Sequence, residues 1–306
     1  MFRKNNFFYI ALVGLFAICL VGCGSASSTK NELVENKVNV VTSFYPLYEF
    51  TRQIGGDYVN AINLVPAGVE PHDWSPKGRD LKNMTKAQIF VYQGAGFEGW
   101  VKDFLESLSK DSSLKVVEAS KGANLIKITD NKEEFDPHAW LSPLNAVKMA
   151  NNIKEALISV DPAHKDVFEK NYQSYAAQLN DLDARYKKAL SATPKKEIAV
   201  SHHAFAYLCR DYGLTQMSIM GLSPEAEPTA QDLKKMNEYM KAHDLKYIFF
   251  EELVSDKLAK TLARDAKVDT MVLNPLEGLT DKQIAAGENY ISIMDKNLKN
   301  LVIALQ

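Results

Sequence analysis

Short apolar runs rich in branched residues recur along the chain, each separated from the next by a stretch with helical spacing. In the first half they are Val38–Ser43, Ala61–Val65, Ala87–Tyr92 and Leu114–Val117; in the second, Glu197–Ser201, Gln216–Ile219, Tyr247–Phe250 and Thr270–Leu273. Strands covered on both faces read as brief apolar runs, and their alternation with helices predicts parallel α/β units. The pattern therefore predicts two α/β lobes with parallel sheets, over residues 38–160 and 194–306.

Between the lobes lies the longest helical pattern, residues 161–193. Phe168, Tyr172, Tyr175, Leu179, Leu182 and Tyr186 recur at spacings of four and three, the stripe of an amphipathic helix. Asp161-Pro162 predicts its start, with Asp as cap and Pro at the first position, and Thr193-Pro194 its end. A helix from Pro162 to Leu190 is about 43 Å long at 1.5 Å per residue, enough to run along both lobes. One such helix resists hinge bending more than a loop does.

The amino terminus differs from the rest. Arg3 and Lys4 precede an apolar stretch from Phe7 to Gly22, too short and too poorly flanked for a spanning helix. Residues 1–22 read as a secretory signal ending in Leu20-Val21-Gly22-Cys23, which resembles a bacterial lipobox. Cys23 is then the lipidated first residue of the mature chain. Residues 23–37 are small and polar, without apolar periodicity, and read as a flexible tether. This places the protein outside the cytoplasm, lipid-anchored to the cell membrane.

Composition removes several classes of function. The net charge is −2, and loss of residues 1–22 takes Arg3 and Lys4 but no acid. No basic run with interleaved aromatics points to nucleic acid. Cys19 leaves with the signal and Cys23 carries lipid, so Cys209 stands alone: an intrachain disulfide and a cysteine zinc site are both excluded. About 270 ordered residues remain, enough for two lobes.

The chemistry concentrates in two matching segments, Glu70-Pro71-His72-Asp73-Trp74-Ser75-Pro76 and Asp136-Pro137-His138-Ala139-Trp140-Leu141-Ser142-Pro143. With only six histidines and three tryptophans in the chain, a repeated Pro-His-x-Trp is not a chance event. Histidine is the commonest side-chain metal ligand, and two such loops read as two walls of one metal site. Ser75-Pro76 and Ser142-Pro143 each predict a helix cap with Pro at the first position, placing both histidines in loops before helices. His164 and His243 lie in polar helical stretches and read as surface residues.

Together with these loops, Val41-Thr42-Ser43-Phe44-Tyr45-Pro46, Ser201-His202-His203-Ala204-Phe205-Ala206-Tyr207, Glu225-Ala226-Glu227-Pro228 and Asn274-Pro275-Leu276-Glu277-Gly278 resemble the cluster 9 solute-binding proteins of bacterial zinc and manganese ABC importers. The resemblance runs from the lipobox to the last helix. It implies two α/β lobes joined by one long rigid helix, a single metal in the cleft between them, a monomeric binding protein rather than an enzyme, and an ABC permease with its ATPase as partners. Carried over position by position, it implies His72, His138, His202 and Glu277 as ligands. All four fall near carboxyl ends of predicted strands, where open α/β sheets bind ligands. His203 is the neighbour against which His202 is chosen, and Glu251 and Asp73 are the carboxylates against which Glu277 is chosen.

Three imidazoles and one carboxylate suit one Zn2+ per chain in a tetrahedral site, ahead of Mn2+. In the family's manganese branch the third position usually carries a carboxylate, where this chain has His202. Glu70, Asp73 and Asp136 are candidates for holding the far nitrogens of the histidines. Histidines with a reference pKa near 6.5 imply binding that fades below pH ~6. The chain departs from many zinc-binding relatives in the stretch Ile128–Phe135, which is short and has no histidine where they insert a long histidine-rich loop. It also stops at Gln306, where some relatives continue into a second zinc-binding domain. A zinc hydrolase needs an open coordination position, and no His-Glu-x-x-His occurs. A surface adhesin for host matrix protein, a role attributed to family members, would be secondary.

Overall fold

All eight apolar runs form strands, displaced by no more than two residues from their expected bounds. The computed structural model describes residues 32–128, 134–224 and 228–306. The expected signal, Cys23 and the tether up to residue 31 lie outside the described residues, as do 129–133 and Glu225-Ala226-Glu227. In the first lobe β1 (Val38–Thr42), β2 (Val59–Asn63), β3 (Ile89–Tyr92) and β4 (Lys115–Glu118) form a parallel sheet in the order β2-β1-β3-β4. In the second, β5 (Glu197–Val200), β6 (Thr215–Ser218), β7 (Tyr247–Phe250) and β8 (Asp269–Val272) repeat that winding as β6-β5-β7-β8. The largest displacement has a simple cause. Leu64 and Val65 are apolar because they are buried, although the ladder with β1 ends at Asn63.

Helices α1 (Tyr45–Gly55), α2 (Gly78–Lys86), α3 (Val101–Ser107) and α4 (Pro143–Val160) belong to the first lobe. Then α5 (Lys165–Ser191) runs to the second, which carries α6 (Ala206–Tyr212), α7 (Ala230–Ala242), α8 (Lys257–Ala266), α9 (Asp281–Ala285) and α10 (Tyr290–Ala304). The 27 residues of α5 span about 40 Å. Its expected stripe is buried at Phe168, Tyr175, Leu179, Leu182 and Tyr186, with Tyr172 packed at its margin. These side chains join a single core with Val40, Phe44 and Phe50 from the first lobe and Leu273, Leu276 and Tyr290 from the second. The lobes therefore share buried apolar surface as well as a connection.

Two expected helix starts are corrected. Pro162–His164 form a 3-10 turn and α5 begins at Lys165, because the Asp161 carboxylate engages His164 Nδ1 at 2.6 Å instead of capping the backbone. Ser75-Pro76 does not open α2, which starts at Gly78; the Lys77 N–H there donates to Asp80 Oδ2 at 2.8 Å. The second Ser-Pro behaves as expected. Pro143 opens α4 and Ser142 Oγ accepts from the Asn145 N–H at 3.3 Å, a cap of the kind that contributes ~1 kcal/mol. Residues 32–34 are tied to the first sheet by Asn39, which bonds both backbone groups of Val34, and by Asn60, which donates to the Glu32 carbonyl.

Candidate metal centre

Strand order places the crevice. In each sheet the chain winds outward in opposite directions from the central pair, β1 with β3 and β5 with β7, so their carboxyl ends leave a gap that no crossover covers. His202 lies one residue beyond the end of β5, after Ser201, and Glu251 directly follows β7. Glu277 sits on the loop after β8, His72 on the loop after β2, and His138 just before α4. These four proposed ligand residues, His72, His138, His202 and Glu277, offer donor atoms that all lie within 4.8 Å of one another. His138 and His202 are 0% exposed and Glu277 is 1% exposed.

The local fold aims each ring. Asp136 Oδ1 accepts from both the backbone N–H and Nδ1 of His138, each at 2.9 Å. Gln93 Nε2 donates to the Pro137 carbonyl at 2.9 Å, fixing the same turn from the end of β3. Glu251 Oε1 receives His202 Nδ1 at 2.5 Å and Ser201 Oγ at 2.5 Å. A carboxylate can only accept here, so both imidazoles carry hydrogen on Nδ1 and turn Nε2 toward the centre. His72 is held through its backbone N–H, which donates to Glu70 Oε1 at 3.0 Å, and its ring packs edge-on to Phe97. Glu277 follows Leu276, a fully buried residue with φ +58°, a strained backbone of the kind that collects at functional sites. Asn274 supports that turn, its Oδ1 accepting from the Leu276 N–H at 2.7 Å.

The separations are informative. Glu277 Oε1 lies 3.4 Å from His72 Nε2, 3.4 Å from His138 Nε2 and 3.6 Å from His202 Nε2, and the last two nitrogens are 3.3 Å apart. These are long for N–H···O bonds, and both Glu277 oxygens and His72 Nε2 are buried without a hydrogen-bond partner. Donors about 2.0–2.1 Å from one tetrahedral ion stand about 3.3–3.4 Å from each other. Three of the six edges, at 3.3–3.4 Å, thus match a zinc-sized tetrahedron, and a fourth is slightly longer at 3.6 Å.

Charge is arranged around the same point. Burial raises the Glu277 carboxyl, but the three imidazoles outweigh it and hold Glu277 well below the usual carboxylate range. Burial likewise lowers the histidines, yet His202 is pushed up to about 10 by Glu251 and Glu277, and His138 is raised by Asp136 and Glu277. Glu70 is raised to about 9 by burial and by Glu277, so it carries a proton at neutral pH. Without a metal the pocket therefore holds protons that a divalent ion must displace.

Of the three acids expected behind the histidines, only Asp136 bonds a ring nitrogen. Glu70 takes the backbone of His72 instead, and Asp73 is exposed. Glu251 supplies the missing contact; an acid at the carboxyl end of a buried strand bordering the crevice is the signal that marks it. His203 turns away, its N–H donating to the Gly221 carbonyl at 2.8 Å and its ring 3.3 Å from Ser218 Oγ. The paired tryptophans also diverge. Trp74 packs on Trp100 at the margin, whereas Trp140 is fully buried against Phe44 and Phe97 and donates to the Pro275 carbonyl of the other lobe at 2.7 Å. Cys23 lies outside the described residues.

Residues 40–304 match the family described as zinc-uptake complex component A, periplasmic (ZnuA). The chain is 41% identical over 304 residues to the zinc-binding lipoprotein AdcA of Streptococcus pneumoniae, covering 95% of this chain and 60% of that protein. It is 41% identical over 316 residues to the high-affinity zinc uptake system protein ZnuA of Bacillus subtilis, covering 98% of both. The crystal structure of the Zn(II)-bound ZnuA-like domain of S. pneumoniae AdcA superposes with a TM-score of 0.78 at 43% identity, over 88% of this chain and 99% of that one. The chain spans about 60% of the length of the streptococcal relative and nearly all of the Bacillus one. With this match over almost its whole folded length, and two lobes whose facing loops bring three imidazoles and a carboxylate together, the chain belongs to the zinc-uptake complex component A family.

Proposed function

We propose that this chain captures one Zn2+ ion between its lobes, with His72, His138, His202 and Glu277 as the four ligands, and delivers it to an ABC-type permease driven by a cytoplasmic ATPase. The observation that carries the reading is the set of 3.3–3.6 Å separations that Glu277 Oε1 makes with three Nε2 atoms and that the Nε2 atoms of His138 and His202 make with each other. Capture involves no chemistry on the ion. The protein supplies a complete, buried four-donor shell and counter-charge from Glu277, Asp136 and Glu251, as metal sites commonly do through the far nitrogen of a ligating histidine. A hydrolase would need a coordination position left to water, and four converging protein donors favour a binding role. Imidazole-rich shells favour zinc, whereas manganese suits carboxylate and water.

In this reading residues 1–22 are a lipoprotein signal peptide, Cys23 carries the lipid, and 23–37 lead to the lobes at 38–160 and 194–306, with 161–193 linking them. The mature chain acts as a monomer on the outer face of the cell membrane. Elemental analysis of the purified protein, followed by zinc and manganese competition, tests the proposal. One zinc per chain that equimolar manganese does not displace is expected; displacement by manganese would overturn the three-histidine shell.

A further inference from the structure

Tyr207 belongs to the second lobe, on α6, which begins four residues after His202. Its side chain is fully buried, and its hydroxyl reaches into the first lobe. There it donates to the Asp136 carbonyl at 2.5 Å and accepts from the Ile126 N–H at 3.1 Å. The Asp136 N–H in turn donates to the Ile126 carbonyl at 2.9 Å. Both backbone groups of Asp136 are thereby fixed, and its carboxylate is the group that holds the backbone and Nδ1 of His138. The same helix grips the chain beyond His138, because Asp211 Oδ2 accepts from Ser142 Oγ at 2.5 Å. Arg210 lies over the Tyr207 ring and donates to the Asn124 carbonyl at 2.7 Å. One short helix thus sets the direction of a histidine that belongs to the opposite lobe.

We infer that Tyr207 is a positioning residue that locks the His138 turn onto the lobe bearing His202, and that it governs how fast zinc leaves. The inference rests on the four-ligand reading above. Its bonds lie within the protein and are broken when the His138 turn separates from α6, so their loss speeds escape and leaves capture untouched. Differences in affinity among variants of one site reside mainly in dissociation.

The test measures zinc release from the loaded full chain into excess chelator. Tyr207→Phe keeps the ring and is expected to release zinc roughly tenfold faster, the lower end for residues that orient a metal ligand, with an unchanged association rate. Cobalt loaded in place of zinc is expected to show a shifted visible spectrum in this variant. Tyr186→Phe is the matched control. It removes an equally buried hydroxyl, which donates to the Met294 carbonyl at 2.7 Å, and is expected to lower the melting temperature without changing zinc release. Wild-type release from Tyr207→Phe, or equal acceleration by both variants, would overturn the inference. His138→Ala separates the two levels: full affinity there would sink the ligand assignment, whereas lost affinity alongside normal release from Tyr207→Phe would sink only the role of Tyr207. If Tyr207→Phe does not fold, amide exchange in the wild type decides. Zinc is expected to slow exchange at Ile126, and equal protection with and without zinc would overturn the inference.

Discussion

Glu251 Oε1 sits 2.5 Å from His202 Nδ1 and shares that oxygen with the Ser201 hydroxyl. The first lobe repeats half of this device. Ser43, just past β1, donates to Glu98 Oε1 at 2.5 Å, but no histidine joins them. The serines follow equivalent strands, β1 and β5, but Glu98 lies in the loop well past β3 whereas Glu251 directly follows β7, and only the second pair orients a proposed ligand. Glu251→Gln keeps an acceptor for Nδ1–H and removes the charge. Zinc affinity is expected to fall roughly 10- to 100-fold, the usual cost of changing the partner of a ligating histidine. Chelator competition measures it, and an unchanged constant would mean that Glu251 is structural only.

Protons compete with zinc over a higher pH range than an ordinary imidazole would set. Because His202 is pushed up to about 10, it is protonated in the metal-free pocket near pH 7, and His138 is raised in the same direction. A raised folded-state pKa stabilises the metal-free fold below about 6.5 and loses that contribution as pH rises through about 10. Zinc requires the neutral rings, so its affinity is expected to climb across that same window rather than level off just above pH 6. Binding at pH 7 should release protons, seen as a buffer-dependent heat in calorimetry. A heat independent of buffer ionisation would contradict the raised values.

Adjacent histidines provide a direct contrast. His202 is fully buried with Nε2 at the cluster, while His203 is half-buried and faces Ser218. His202→Ala is expected to abolish tight binding and His203→Ala to change it little. Zinc at 100 times its dissociation constant adds about 2.7 kcal/mol of stability, so the zinc-induced rise in melting temperature should vanish only in the first variant. The opposite ranking would shift the third ligand by one residue.

Much of this architecture is legible in the pattern of residues, for physical reasons that also mark the limits. Buried parallel strands leave unmistakable apolar runs, and the α5 stripe follows from helical period alone. The repeated Pro-His-x-Trp identifies two histidines because its context is rare. What stays hidden depends on contacts between distant positions. Glu251 and His202 are 49 residues apart, and Tyr207 and Asp136 are 71 apart. An acid at a strand end marks Glu251 as bordering the crevice but not which histidine it holds, and a tyrosine on a helix carries no mark at all. The Ser75-Pro76 expectation fails for the complementary reason. A local cap signal was present, but the loop carrying His72 continues to Lys77 before α2 begins.

Glu277 couples the ligand and proton terms, and its removal should affect them in opposite directions. Its Oε1 approaches all three imidazoles at 3.4–3.6 Å, so Glu277→Ala removes the sole anionic ligand and leaves a position that water can fill. That weakens zinc at every pH. The same carboxylate also raises His138 and His202, so without it those rings give up their protons at lower pH. Competition from protons is then weaker, and the deficit relative to wild type should be smallest at pH 6 and widen toward pH 9. His138→Ala leaves Glu251 and Glu277 in place to keep His202 raised, so zinc must still displace that proton while binding an incomplete shell. Its loss at pH 6 is therefore expected to exceed that of Glu277→Ala. Chelator competition across this pH range distinguishes the cases. A deficit in Glu277→Ala that stays constant with pH would show that Glu277 acts as a ligand without tuning the histidines, and no deficit at all would remove it from the metal shell.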